Sequence, residues 1–286
     1  IQASLLLSRL EFDFEPLNKV LEGKEITKDD AYEVFSYSKY NSEKIFKVAS
    51  NLRDSHKGKI VSFSKKAFFN IVNLCRDTCS YCTYKAEVDE SKLSMMNIDD
   101  VKNLAKSAAK LRCVEALLVT GESPEQKYDE ASKWLRKNGF SSTGEYLAHC
   151  SELLLDEGLF PHTNAGNLNK SEMSELKKTN VSMGLMLENS SHRLLEKGMP
   201  HHGAPSKDPK ARIQILKNAG ELKIPMTTGI LVGIGENERE IIDSLFTIKI
   251  LHEQFENIQE VILQNFEPKQ DTKMKDHPST PQQYFK

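Results

Sequence analysis

The 286 residues carry 39 basic and 41 acidic side chains, a formal net charge of −2, so no bulk attraction to nucleic acid or to an acidic membrane is expected. The length suffices for one large domain or two small ones, and no apolar run is long enough to span a membrane. The opening Ile1-Gln2-Ala3-Ser4-Leu5-Leu6-Leu7 has neither a basic start nor a small-residue cleavage site, which argues against a signal peptide and makes a soluble, cytoplasmic protein the default.

Residues 1–60 read as a helical N-terminal extension. Thr27-Lys28-Asp29-Asp30 is a helix start with acidic residues in the first turn, and Ile45, Phe46 and Val48 repeat at helical spacing. From residue 61 to 286 the texture is that of a barrel core. Phe68 to Leu74 is a short apolar stretch with the character of a buried strand. Val114–Thr120, Phe160–Thr163, Val181–Leu187, Met226–Val232 and Val261–Phe266 follow as five more. Helical stretches separate them. In Thr143–Glu157, Tyr146, Leu147, Cys150, Leu153 and Leu154 share a face, Ser142 or Thr143 caps the start and Gly158 ends it. In Asn237–Phe255 the inward residues are Ile241, Ile242, Leu245, Phe246 and Ile248. Strand–helix alternation at this spacing implies an α/β fold, a parallel (β/α) TIM-like barrel of at least six units. A closed barrel needs about two more. The chain starts with Ile and stops at Lys286 without a closing element, so a barrel that is partial, or cut short at its C-terminal end, is expected.

Of the five cysteines, Cys75, Cys79 and Cys82 fall within eight residues, spaced C-x3-C-x2-C directly after the first strand. Parallel barrels keep their chemistry on that side. A short loop can wrap three thiolates around one iron–sulfur cubane and leave one iron open, since the usual set is four cysteines. Structural zinc is the rival reading, with Cys113 as a distant fourth ligand, although zinc usually takes paired C-x2-C knuckles. Disulfides or inert buried thiols are a third. Cys113 and Cys150 read as packing residues.

Further polar residues follow the other strands. Gly121-Glu122 ends the second, and Gly121 admits close approach to the backbone. His162 and Asn164 end the third, where they offer donors and acceptors at the barrel mouth. Glu188 follows the fourth, and Arg212 lies on the next helix with a planar fork suited to a carboxylate. Gly233-x-Gly235 ends the fifth, but Glu238 stands where a dinucleotide turn requires its third glycine. His201 and His202 lie in a Pro-Gly-rich loop, open to metal binding or simply at the surface.

The order Cys75-x3-Cys79-x-Tyr81-Cys82 resembles the signature of radical S-adenosylmethionine (SAM) enzymes. That resemblance implies a 4Fe–4S cluster on Cys75, Cys79 and Cys82, with SAM at the open iron as source of a hydrogen-abstracting radical. It also implies Tyr81 near the adenine, Gly121-Glu122 at the cofactor's ammonium, Glu188 at its ribose or amine, Arg212 at its carboxylate, and Gly229 and Gly233 beside the adenine. Each has a plainer alternative: a packing tyrosine, an ordinary turn, a solvated charge.

Several stretches together are similar to one family within that superfamily. They are Asn73-Leu74-Cys75-Arg76-Asp77, Thr120–Glu125, Pro161-His162-Thr163-Asn164, Gly203–Pro209, Thr228–Glu236 and Gln264-Asn265-Phe266. They resemble the CofG subunit family of the deazaflavin FO synthases. The resemblance implies a lyase that closes the deazaflavin ring of FO with loss of ammonia. Its substrate is a hydroxybenzyl–ribitylaminouracil adduct supplied by a CofH-like partner enzyme, and an external electron donor is needed. His162 and Asn164 are the candidate substrate contacts. CofH-like, menaquinone-pathway or biotin synthase-like radical SAM enzymes, and a non-catalytic iron–sulfur or zinc protein, are the alternatives.

Overall fold

The computed structural model describes residues 12–280; the Ile1–Leu7 stretch and 281–286 lie outside them. Helix α1 (Glu15–Leu21) and the long α2 (Lys28–Lys57) come first. Thr27 caps α2: its hydroxyl accepts from the Asp30 N–H while the Asp30 carboxylate accepts from the Thr27 N–H at 2.8 Å. A break at Asn41 (φ −134°) bends the helix midway.

Six strands then alternate with helices. They are β1 (Lys66–Val72), β2 (Glu115–Thr120), β3 (Phe160–Asn164), β4 (Ser182–Gly184), β5 (Met226–Val232) and β6 (Ile258–Asn265). All pair in parallel, in the order β1-β2-β3-β4-β5-β6. The intervening helices are α3 (Ile98–Lys110), α4 (Asp129–Lys137), α5 (Thr143–Asp156), α6 (Lys170–Leu176), α7 (Pro209–Glu221) and α8 (Glu238–Phe255). Period-two alternation divides each strand. Phe69, Ile71, Ala116, Leu118, Met226 and Ile230 point at the helices and build the main core. Lys66, Phe68, Asn70, Leu117, Val119, His162 and Asn164 occupy the alternate positions, which line the inner face.

Helix α5 buries Tyr146, Leu147, Cys150 and Leu154 completely, as its apolar face requires. Helix α2 lies on α8, tied by Tyr32 Oη donating to Asp243 Oδ1 at 2.7 Å and by the Lys28–Asp243 and Lys39–Glu238 ion pairs, both 2.9 Å. Among the described residues, β1 and β6 each pair on one side only, and β6 is exposed over most of its length. This is the six-unit, partial barrel expected from the sequence.

The fourth strand is shorter than its apolar run. Only Ser182–Gly184 is regular; the chain leaves the ladder through Leu185–Leu187 and rejoins it where Glu188 bridges Ile230. At that point Glu188 has φ +64°. A bulge of this kind re-aims a side chain, and here it brings the Glu188 carboxylate to the barrel mouth.

Candidate active site

The chain leaving β1 is held on both sides before it reaches the cysteines. The Asn73 side chain donates to the Lys92 carbonyl and accepts from the Ser94 N–H, both at 2.8 Å, and the Asn73 carbonyl accepts from the Ala86 N–H at 2.9 Å. Tyr84 Oη donates to the Val72 and Val119 carbonyls, at 3.2 and 3.1 Å. On the outer side the Thr78 N–H donates to Gly203 O at 2.7 Å and the Ser80 N–H to Pro200 O at 2.9 Å. The end of β2 presses against the same loop. A Cβ on Gly121 would lie 1.9 Å from the Leu74 carbonyl oxygen, so only glycine fits. The next N–H, of Glu122, donates to Cys75 Sγ at 3.2 Å.

This framework directs Cys75, Cys79 and Cys82 into one cavity of about 220 Å³. Glu122, Asn164, Glu188, Lys207 and Arg212 share its wall. All five cysteines are free thiols. Burial pushes the Cys79 thiol up to about 12, against the pull of Lys207, and raises Cys75 as well. Glu188 and Lys207 form an ion pair of 2.5 Å. Burial would raise the Glu188 carboxyl, but the nearby charges of Lys207 and Arg212 prevail and hold it below its ordinary value. Glu122 is 6% exposed; its Oε2 accepts from the Asn167 N–H at 2.9 Å and its Oε1 from Ser123 Oγ at 3.2 Å. Two buried polar atoms of the cavity wall, Asp77 Oδ1 and Thr120 Oγ1, have no hydrogen-bond partner.

The structure thus brings the three cysteines, Gly121, Glu122, Asn164, Glu188 and Arg212 together. The other expected residues have settings of their own. Arg212 is buried with two nitrogens engaged by backbone: Nε donates to Ser206 O at 3.0 Å and Nη1 to Met186 O. Lys207 is the cation paired inside the cavity. Gly229 and Gly233 each lie in close approach to another part of the chain. A Cβ on Gly229 would meet the Ile262 carbonyl of β6 at 2.1 Å, and one on Gly233 would meet Thr280 Oγ1 at 2.2 Å. Tyr81 packs against Leu231 and Phe266 in a hollow that shares Glu188 with the thiol cavity, and its hydroxyl pairs with His201 Nε2 at 2.9 Å.

His162 is not at the mouth with Asn164. It is 4% exposed and one inner row deeper, with Nδ1 2.6 Å from Ser182 Oγ and 4.0 Å from Glu115 Oε1, near the start of β2. Burial lowers its pKa, the Glu115 charge opposing. Only its Nε2 faces the upper interior, 2.9 Å from where a Cβ on Gly184 would sit.

Sequence reasoning missed Asp77, Ser206 and Lys207 and left His201 between metal binding and the surface. Asp77 is 2% exposed and accepts from Ser206 Oγ. His201 is 2% exposed rather than a surface histidine, and burial together with Lys207 pushes it down to about 4. The available signal was Gly203–Pro209, a loop whose proximity to the cysteines only the Thr78–Gly203 bridge reveals.

The residues fit a cubane and a zwitterionic nucleoside. Among the described residues no group of three or more His, Cys, Asp or Glu side chains converges on one ion. A cubane takes one thiolate at each of several separate irons, so three thiols need only share a cavity. The orphaned Asp77 and Thr120 oxygens and the mixed charges of the wall suit a ligand carrying ammonium, carboxylate and hydroxyl groups.

Comparison with known proteins agrees. Residues 69–248 match the radical SAM superfamily model. The chain is 43% identical over 220 residues to the 7,8-didemethyl-8-hydroxy-5-deazariboflavin synthase of Methanopyrus kandleri, covering 77% of this chain and 66% of that one. It is 40% identical over 263 residues to the Methanococcus maripaludis synthase, covering 91% and 72%. It is 44% identical over 224 residues to the FO synthase of Nocardia farcinica, covering 76% and 26%. The chain therefore spans about two thirds of the archaeal synthases and about a quarter of the Nocardia protein. In fold it is similar to the crystal structure of the FeFe-hydrogenase maturase HydG, with TM-score 0.77 at 17% identity over 99% of this chain and 62% of that one. It is also similar to methylornithine synthase, with TM-score 0.68 at 21% identity over 91% and 70%. The chain belongs to the radical SAM superfamily and, within it, to the 7,8-didemethyl-8-hydroxy-5-deazariboflavin synthase family.

Proposed function

We propose that this chain carries the catalytic centre of an FO synthase, a carbon–nitrogen lyase that closes the deazaflavin ring of a hydroxybenzyl–ribitylaminouracil adduct with loss of ammonia. The observation that carries the reading is the cavity in which three thiols meet three acids (Asp77, Glu122 and Glu188) and two bases, with the Asp77 Oδ1 and Thr120 Oγ1 oxygens unpartnered. The 40–45% identity to synthases of that name supports it. Within this reading, residues before 60 are a helical extension and 61–286 belong to the catalytic barrel.

Cys75, Cys79 and Cys82 would hold the 4Fe–4S cluster, and the Glu122 N–H that donates to Cys75 Sγ would fix that ligand's orientation. Bound there, the cluster and SAM supply one-electron cleavage of a sulfonium and thereby hydrogen abstraction. Glu122, Asp77 and Thr120 offer acceptors to the cofactor's ammonium and hydroxyls. Lys207, released from Glu188, offers a positive charge to its carboxylate; Arg212 holds the Ser206 and Met186 carbonyls that frame the site. Asn164 is the substrate contact at the cavity, and His162 reaches the interior only through Nε2. Free thiols holding an iron–sulfur cluster belong in a reducing compartment, which favours the cytoplasm. No helix among the described residues is long and apolar enough to cross a membrane. The adduct would come from a CofH-like enzyme and the electron from an external donor.

The test is anaerobic reconstitution followed by supply of the CofH product. FO fluorescence with release of 5′-deoxyadenosine supports the assignment. Robust 5′-deoxyadenosine formation without FO would reassign the chain to another radical SAM reaction.

A further inference from the structure

Among the described residues, the inner face of β1–β3 carries a row of two carboxamides that make no hydrogen bond within the protein. Asn70 of β1 is the register partner of Val119 of β2, and Val119 is the partner of Asn164 of β3. Alternation along each strand puts all three on the inner side, opposite Phe69, Leu118 and Thr163. Neither carboxamide makes a hydrogen bond within the described residues. The two rows beneath are tied within the protein: His162 is held by Ser182, and one row deeper Glu115 is held by Ser64 at 2.7 Å and Lys66 at 2.9 Å. The carboxamide row is also the one beside the thiols, because Asn164 lines their cavity.

We infer that Asn70 and Asn164 are specificity-determining residues that grip the lactam or imide edges of a neutral planar heterocycle, with Val119 beneath its ring. This rests on the FO synthase reading, in which the substrate carries a pyrimidinedione. A primary carboxamide offers two N–H donors and a carbonyl acceptor side by side, the complement of adjacent C=O and N–H groups. Alternate strands stand about 10 Å apart. A ring with about 4–5 Å between its outer polar atoms, hydrogen-bonded at about 2.9 Å on each side, spans that gap. Charge separates the two ligands. The acids and bases of the cavity wall suit a zwitterionic cofactor, whereas a row of neutral amides next to it discriminates by donor and acceptor pattern alone.

The test uses the reconstituted enzyme with Asn70→Asp and Asn164→Asp, which keep side-chain size and lose both amide donors. Asn70 is exposed, so its replacement leaves the core intact; iron content checks that each variant has loaded its cluster. Calorimetry measures binding of ribityl-diaminouracil and of its imide N-methyl analogue. Each variant is expected to bind ribityl-diaminouracil roughly tenfold more weakly and to raise KM for the adduct about as much, with kcat within about threefold. The N-methyl analogue loses one edge only, so it should bind more weakly than ribityl-diaminouracil to wild type and be insensitive to one of the two variants, the one whose asparagine faces the methylated edge. Variants that bind both probes within about twofold of wild type overturn the inference while the FO synthase reading stands. A wild-type enzyme that binds the uracil probe but makes no FO from the adduct removes the reading and leaves the heterocycle site in place.

Discussion

Lys207 Nζ lies 2.5 Å from Glu188 Oε1 in the wall of the thiol-lined cavity, with side chains 15% and 9% exposed. The two come from different loops. The bulge after β4 delivers Glu188 and the turn before α7 delivers Lys207. A pair so placed is poised to exchange one partner for a zwitterionic ligand, since the geometry that neutralises it inside the protein also recognises opposite charges from outside.

Replacing Lys207 alone strands a buried carboxylate. Lys207→Met is expected to lower unfolding stability by about 3 kcal/mol, and Lys207→Met with Glu188→Gln to recover at least half of it. Urea denaturation of the single and double variants reads both values. A single variant as stable as wild type would show that the pair carries no structural weight.

Loading of the cluster depends on three of the five thiols. Alanine at Cys75, Cys79 or Cys82 should reduce iron from about four per chain to near none and abolish 5′-deoxyadenosine release. Serine at Cys113 or Cys150 should leave iron content as it is. Metal analysis after anaerobic reconstitution distinguishes these outcomes, and stoichiometric zinc without an iron chromophore would restore the zinc reading.

Gly121 is where β2 and the cysteine loop touch. The Cβ of Gly121→Ala would meet the Leu74 carbonyl oxygen at 1.9 Å and Cys75 Cβ at 2.7 Å. The loop must shift to relieve this, at a cost of about 1–3 kcal/mol or more. Iron occupancy should fall together with the melting temperature. Full occupancy at unchanged melting temperature would mean that the loop yields freely.

Glu240 clips the loop after β4 to the turn before α8. Its carboxylate accepts from Arg193 Nε at 2.9 Å, Ser191 Oγ at 2.6 Å and the Asn237 N–H at 2.8 Å. The Arg193 bond leads the effects that lower its pKa from the ordinary 4.5 to about 2. A carboxyl depressed on folding contributes stability that is complete above about 4.5 and disappears as pH falls toward 2. Glu240→Gln should therefore be less stable by about 1–2 kcal/mol at neutral pH, with the difference shrinking across that acid window. Urea midpoints taken along the pH series check the sign; a gap that widens on acidification contradicts it.

Local pattern carried much of this protein. Runs of alternating or continuous apolar residues marked six strands, and helical spacing marked helices before and between them, with starts at Thr27 and Ser142. Such periodicity reflects one buried face per element, so it survives without knowledge of neighbours. The C-x3-C-x2-C spacing likewise declares its chemistry, because three thiolates on one short loop have few uses. Partnership between distant segments is another matter. His162 and Asn164 share a face of β3, yet two residues of strand rise, about 6.6 Å, separate a satisfied inner histidine from a carboxamide at the thiols. Gly229 and Gly233 make room for Ile262 and Thr280, and nothing nearby in the chain says so. Lys207 meets Glu188 only because a bulge turns one strand end toward a loop about twenty residues further on. Sequence periodicity decided which faces are buried, a property of each element alone. The tertiary structure decided which charges meet, because that depends on register, twist and bulges that bring separate elements to one barrel mouth.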